Sequence, residues 1–264
     1  MTRTSSCHRP SNSTEIAIAG GTGVVGRHAV RAVQSRGHNV VVLSRSEGVV
    51  VFSGAGLEER QRGVDVVVDA LNTPSLSRRK AVHFFRTMSQ RLLEAGARHG
   101  VAHHVVLSIV GIDGTDEPYY AGKLAQERTV EASGVPHTIA RAAQFHEFAE
   151  QISARTSLGP LTIAPRLLAR PVAAREVGEH LLHVTETDPA GRAPDLVGPE
   201  EHTLADMIRR IHAHDGTSRR VLEMRFPGAY GRGIASAALR GDPGSAQIGT
   251  TTFAQWLAQE HGTG

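Results

Sequence analysis

Tyr119 and Lys123 stand four residues apart in the run Pro118-Tyr119-Tyr120-Ala121-Gly122-Lys123, and Ser108 lies eleven residues before Tyr119. At helical spacing the phenol and the ammonium share one face. Together with a serine hydroxyl they can carry out carbonyl reduction. The tyrosine gives its proton to the developing alkoxide. The lysine lowers the phenol's pKa by its charge, and the serine hydrogen-bonds the carbonyl oxygen. Tyr120 is a second candidate for the acid; the spacing to Lys123 favours Tyr119.

A second feature binds rather than reacts. Gly20, Gly23 and Gly26 follow the apolar run Ile16-Ala17-Ile18-Ala19 and open a stretch, 24–36, with apolar residues at helical spacing. Between a strand and a helix, such glycines allow a sharp turn, let backbone approach a pyrophosphate and let the helix pack close to the sheet. The helix N-terminus then offers its unpaired N–H groups to the phosphates. Gly20, Thr22, Gly23, Val24, Val25 and Gly26 are therefore the candidate cofactor-binding residues. The next strand, 39–43, runs into Ser44-Arg45-Ser46. An acid there would hold the ribose hydroxyl of NAD; a base suits the 2′-phosphate of NADP. Arg45 thus points to NADPH in preference to NADH, with Ser44 and Ser46 as further donors.

The elements that must position these residues alternate along the chain. Val-rich runs predict further parallel strands at 49–52, 64–70, 104–108 and 135–141, and apolar spacing predicts helices over 57–62, 80–99 and 119–133. Beyond Arg141 the alternation loosens, with helices expected at 145–153, 177–184, 204–214 and 253–258, a Pro-containing stretch over 160–171 and a short strand at 195–197. The fold class expected is α/β, a Rossmann-type doubly wound parallel sheet with a small C-terminal substrate-binding extension. Residues 1–14 are expected to be a disordered leader, and 15–264 one NAD(P)-binding domain whose substrate-cleft elements lie mainly in 142–264.

Composition narrows the classes. The chain has 264 residues, 40% hydrophobic and 21% charged, with a formal charge of +3 spread over its length, so no nucleic-acid footprint is present. One cysteine, Cys7, allows no intrachain disulfide and suits a reducing cytoplasm. No apolar run reaches membrane length. The 15 histidines are scattered, and His212 and His214 alternate rather than sharing a helix face, so no metal is expected. Asp113, Asp116 and Glu117, in the loop before Tyr119, read as solvated acids.

The runs Ala19-Gly20-Gly21-Thr22-Gly23-Val24-Val25-Gly26, Ser44-Arg45, Asp69-Ala70-Leu71-Asn72, Val106-Leu107-Ser108-Ile109-Val110-Gly111, Tyr119-Tyr120-Ala121-Gly122-Lys123 and Arg141-Ala142-Ala143-Gln144-Phe145-His146 together resemble the short-chain dehydrogenase/reductase superfamily, specifically its atypical NmrA-like, NAD(P)H-binding branch. The resemblance spans nearly everything from Glu15 onward. It implies cofactor contacts from Ala70, Leu71, Asn72 and Lys123, and a substrate cleft lined by Ile109, Gln144, Phe145 and His146. His146 is expected to titrate near neutral pH, and Phe145 with Phe148 suits an apolar or aromatic small-molecule substrate. Two functions follow: an NADPH-dependent oxidoreductase reducing a carbonyl, quinone or similar small organic molecule, or an NADP(H)-binding redox sensor of NmrA type without turnover. The Tyr119–Lys123 pair favours the enzyme.

Overall fold

The computed structural model describes residues 13–115 and 117–262; Asp116, Cys7 and residues 1–12 of the expected leader lie outside the described residues. Thr14, at the end of that leader, is already tied to the fold: its N–H donates to His38 Nδ1 at 3.3 Å and its carbonyl accepts from the Asn39 N–H.

The chain begins β1 (Glu15–Ala19), α1 (Gly26–Ser35), β2 (Asn39–Leu43), α2 (Leu57–Arg60), β3 (Val66–Asp69), α3 (Arg78–His99), β4 (His103–Ile109), α4 (Pro118–Glu131) and β5 (His137–Ala142). It continues α5 (Glu147–Thr156), β6 (Ser157–Leu158), β7 (Leu161–Pro165), β8 (Leu168–Ala169), α6 (Ala174–Thr185), β9 (Gly191–Arg192), β10 (Leu196–Val197) and β11 (His202–Thr203). It closes with α7 (Leu204–His214), β12 (Arg220–Met224), α8 (Gly228–Ile234), β13 (Gln247–Ile248) and α9 (Phe253–Glu260).

The main sheet runs β13-β10-β5-β4-β3-β1-β2, with β9 beside β5, and its pairings are parallel. Strand alternation supplies both faces. Ile16 and Ile18 of β1 meet α1 and α6 through Ala29, Val33, Val177 and Leu181. Ala17 and Ala19 point the other way, into a cluster with Met88, Leu92 and Ala95 of α3. The sheet is therefore doubly wound, with helices on both faces. The chain reverses its direction across the sheet at β1, since β2 lies on one side of it and β3 on the other. At such a switch point the carboxyl ends of the strands leave a crevice.

One expected strand is absent. Residues 49–52 form turns, with only an isolated bridge from Val50 to Ala55. Gly48, Gly54 and Gly56 all take positive φ and fold the chain back before it can pair with β2. The apolar signal came from burial instead: Val49 and Val51 sit in the core beside Leu57.

The C-terminal third contributes β9, β10 and β13 to the main sheet, while β6, β7 and β12 form a small separate sheet and β8 and β11 another. A second core forms there from Ile152 of α5, Leu204 and Ile208 of α7, and Phe253, Trp256 and Leu257 of α9. The helix α8, Gly228-Ala229-Tyr230-Gly231-Arg232-Gly233-Ile234, runs against helix propensity. Close approach accounts for its glycines: a Cβ at Gly231 would stand 1.6 Å from the Phe226 carbonyl oxygen, and one at Gly233 2.3 Å from Glu117 Cβ.

Candidate functional site

The glycine turn lies at the switch point. Gly20, at φ +79°, follows β1, and a Cβ on it would meet the Ala70 carbonyl oxygen at 2.7 Å, just beyond β3. A Cβ at Gly26, the first residue of α1, would stand 2.0 Å from the Gly20 carbonyl oxygen, so the helix sits directly on the turn. Val25, the N-cap, lends no side-chain cap, and the N–H groups of Thr22, Val24 and Val25 give no hydrogen bond among the described residues. Exposed Thr22 and Gly23 leave this set of donors open to solvent. Nearby, Arg45 starts a short 3-10 turn, Arg45–Glu47, exposed and without an ion pair among the described residues. Ser44 Oγ and Ser46 Oγ bond each other at 2.8 Å beneath it. These residues fit a dinucleotide: a cradle with no side chain in it, free N–H donors at a helix start, and a free guanidinium at the end of the second strand.

Tyr119 reaches the same edge. Glu117 caps α4, accepting the Tyr120 N–H at 2.6 Å, and Pro118 occupies the first turn, which fixes where the helix starts. The Tyr119 hydroxyl donates to Asn72 Oδ1 at 2.8 Å, in the loop after β3. Burial, and then the Glu117 carboxylate, push the Tyr119 phenol above its ordinary pKa. Tyr120 is buried, its phenol pushed up by burial and Glu117, and its hydroxyl accepts from Gln144 Nε2 at 3.2 Å.

Lys123 shares a face with Tyr119 as expected, and both meet the Phe85 ring of α3, Tyr119 at 5.6 Å between centroids and the Lys123 ammonium at 4.6 Å from the centroid. The ammonium then turns inward. Lys123 Nζ donates to the Leu107 carbonyl at 2.6 Å and to Gln126 Oε1, and Gln126 Nε2 donates to Asp69 Oδ2 at 2.8 Å, which also accepts from Ser89 Oγ at 2.7 Å. Burial lowers Lys123 to about 8 against the opposing pull of Asp69 and Glu127. The lowering of the tyrosine's pKa expected from this lysine is absent, because its charge serves the interior network. Ser108 lies inside β4, 1% exposed, its Oγ without a partner among the described residues.

The expected substrate residues divide. Ile109 is half-buried at the end of β4, and Phe145 is half-buried and bridges to Val172. Leu71 donates its N–H to Asp69 Oδ1 at 3.2 Å. His146 is enclosed at 1% exposure, with Nε2 on the Thr251 carbonyl at 3.2 Å and its ring against Phe253 and Trp256. Burial lowers its pKa to about 4, so it does not titrate near neutrality: α9 covers it.

Residues 20–160 match the family model described as NAD(P)H-binding. The chain belongs to this NAD(P)H-binding family. No curated protein matches the sequence significantly. Among solved structures, an NADPH-dependent quinone oxidoreductase from Escherichia coli, complexed with NADPH, superposes with a TM-score of 0.72 at 15% identity, over 93% of this chain and 99% of that one. A Citrobacter triphenylmethane reductase complexed with NADP(H) gives 0.67 at 14% identity, over 94% and 100%. The UDP-N-acetylglucosamine 4-epimerase of Bacillus cereus gives 0.67 at 17%, over 94% and 98%. These likenesses show the shared Rossmann-like fold and agree with the resemblance to atypical short-chain dehydrogenase/reductases. No helix among the described residues is long and apolar enough to cross a membrane.

Several residues of this NAD(P)H-binding protein's site carry no clear signal in sequence. Asp69, Ser89 and Gln126 form the buried polar chain that holds Lys123. Glu117, expected to be solvated, is 2% exposed, and burial raises its pKa. Asp113 is exposed, as expected of a solvated acid, and it also binds Arg141 bidentately; the buried Arg141 guanidinium holds Glu127 as well, through Nε at 2.8 Å. Charge complementarity four residues and more apart, such as Lys123 with Glu127, was the one available hint.

Proposed function

We propose that the protein is an NADPH-dependent oxidoreductase that reduces a small carbonyl or quinone compound, with Tyr119 as the acid. The Tyr119 hydroxyl carries this reading: Asn72 holds it at the carboxyl edge of the sheet, beside the glycine cradle. Bound at the switch point, the cofactor supplies the hydride. Thr22, Gly23, Val24, Val25 and the α1 N-terminus hold the pyrophosphate, and Arg45 with Ser44 and Ser46 holds the 2′-phosphate. The substrate oxygen displaces Asn72 as the partner of the Tyr119 hydroxyl. As the carbonyl carbon is reduced, the phenolic proton passes to that oxygen, and solvent restores it. A phenol raised by burial stays protonated at neutral pH, so it is available as a proton donor. Lys123 acts as a positioning residue, fixing α4 against β4 beneath Tyr119, and Gln144 steadies Tyr120 beside it. Ile109 and Phe145 supply apolar wall for the substrate.

A second reading rests on a specific observation, the inward turn of the Lys123 ammonium away from Tyr119. A protein that binds NADP(H) and signals its redox state has no need of that charge at the phenol. Titrating purified protein with NADPH and NADH, then following NADPH oxidation over a panel of quinones, ketones and aldehydes, separates the two. NADPH-selective binding with turnover supports the reductase; tight binding without turnover on any member supports the sensor.

A further inference from the structure

The carboxyl-terminal ends of α7 and α9 converge. His214 ends α7, Asp215 is its C-cap, and His261 is the C-cap of α9. Asp215 Oδ1 lies 2.9 Å from His261 Nδ1 and 3.5 Å from His214 Nδ1, and one ligand atom from each of the three residues falls within 4.8 Å of the others. Ligand atoms about 2.1 Å from a tetrahedral zinc ion stand about 3.4 Å apart, and the two measured separations bracket that spacing. The second imidazole comes not from α7 but from α9, in His261.

Two further features suit a cation. The other ring nitrogen of His261, Nε2, lies 2.6 Å from Glu150 Oε1 of α5. A metal-bound imidazole commonly gives its second N–H to a carboxylate, which fixes the ring and its tautomer. Metal at Nδ1 would leave Nε2 protonated for Glu150. In addition, two helix carboxyl ends, of 11 and 8 residues, direct their partial negative charge at this point.

We propose that His214, Asp215 and His261 form a site for a divalent transition-metal ion, zinc foremost, with Glu150 orienting His261 and water completing the coordination. Two imidazoles and a carboxylate are ligands for such ions rather than for calcium or magnesium. The ion clasps α7 to α9. The Trp256 ring packs against His261 at 5.6 Å, and Trp256 Nε1 donates to Glu147 at 3.2 Å, so the clasp steadies the helix that covers His146 and Glu147. This inference is independent of the reductase reading.

The test is calorimetric titration of the full, chelator-treated chain with Zn2+, with the absorption of bound Co2+ as a reading of nitrogen and oxygen ligation. One Zn2+ per chain is expected, with a raised unfolding temperature, and at least tenfold weaker binding in His214→Asn and in His261→Asn. His83→Asn, an exposed histidine on α3, serves as control and leaves binding unchanged. His214 is exposed, so its variant keeps the fold, which circular dichroism checks. Wild-type affinity no greater than that of the His214→Asn/His261→Asn double variant overturns the site, and leaves His261 as a plain hydrogen-bonded link between Asp215 and Glu150.

Discussion

The Tyr119 hydroxyl and the Asn72 side-chain oxygen meet at 2.8 Å, tying the first turn of α4 to the loop that leaves β3. Each residue thereby fixes the other at the edge where the cofactor is proposed to lie. Tyr119→Phe removes the proton donor and should lower kcat by about 100-fold or more, the usual contribution of a general acid, while NADPH affinity stays near wild type. Asn72→Ala frees the phenol from its partner and should lower kcat by a smaller factor. The double variant should be no worse than Tyr119→Phe alone, because Asn72 acts through Tyr119. Steady-state kinetics with a substrate found in the panel, and NADPH binding by fluorescence, check all three. Equal kcat in Tyr119→Phe and wild type would remove Tyr119 as the acid.

Arg45 is exposed at the end of β2 and forms no ion pair among the described residues, so its guanidinium is available to a phosphate. A charge-assisted hydrogen bond contributes roughly 1.5–3 kcal/mol, so Arg45→Asp should weaken NADPH about tenfold or more. NADH, which lacks the phosphate and prefers an acid at this position, should bind as well as before or better. The ratio of the two dissociation constants is the readout, and an unchanged ratio would mean that Arg45 does not face the 2′-phosphate.

How far these features are legible in sequence depends on the range of the contacts behind them. The bounds of β2 and α7 coincide with expectation because valine runs and helical apolar spacing are local signals. The glycine turn is equally local: its backbone needs show in three glycines, Gly20, Gly23 and Gly26. The placement of the Lys123 ammonium is not, since Asp69 and Ser89, distant in sequence, decide it. Glu117 reads as a solvated loop acid because what buries it is α8, a glycine-rich helix more than a hundred residues later. His146 follows the same logic: Phe253 and Trp256 cover it from the far end of the chain. The false strand at 49–52 shows the converse, a local apolar pattern overruled by positive-φ glycines on both sides.

Ser108, in β4, buries a hydroxyl that has no partner among the described residues. Such a group is stabilised little by staying polar, so Ser108→Ala should change the unfolding free energy by less than about 1 kcal/mol. If the hydroxyl meets a substrate oxygen during the reaction, the same variant lowers kcat/KM while stability holds. Denaturant titration together with kinetics distinguishes the two roles; unchanged kinetics would make Ser108 a packing residue.

Lys123 gives the protein an alkaline signature. Its pKa of about 8 in the fold lies below the ordinary 10.5. Below pH 8 both folded and unfolded chains hold the proton, and the fold bears the full cost of a buried ammonium. Between about pH 8 and 10 the unfolded chain binds more protons than the folded one, so stability rises with pH, by roughly 3 kcal/mol if the whole shift is expressed. Above about pH 10 the raised Tyr119 and Tyr120 phenols reverse the slope. Denaturant midpoints across pH 7 to 10 should climb for wild type and stay flat for Lys123→Met. A flat wild-type profile would show that the ammonium has access to water.

His146 gives the acid side. Its pKa of about 4 lies below the ordinary 6.5, because the ring is enclosed between the Thr251 carbonyl, Phe253 and Trp256. Near neutrality both states hold a neutral imidazole, and His146 contributes its packing in full. As pH falls from 6.5 toward 4 the unfolded chain takes up a proton that the folded chain refuses, so stability drops with acidity, by roughly 3 kcal/mol at the lower end. His104, inside β4 and also lowered to about 4 by burial, adds a slope of the same sign. His146→Gln keeps a donor for the Thr251 carbonyl but cannot titrate, so it should reduce the loss between pH 6.5 and 4.5 while lowering stability at pH 7 through the lost ring contacts. Unfolding midpoints of both proteins across that range decide it; parallel curves would show that α9 opens and lets the imidazole charge in water before the rest of the chain unfolds.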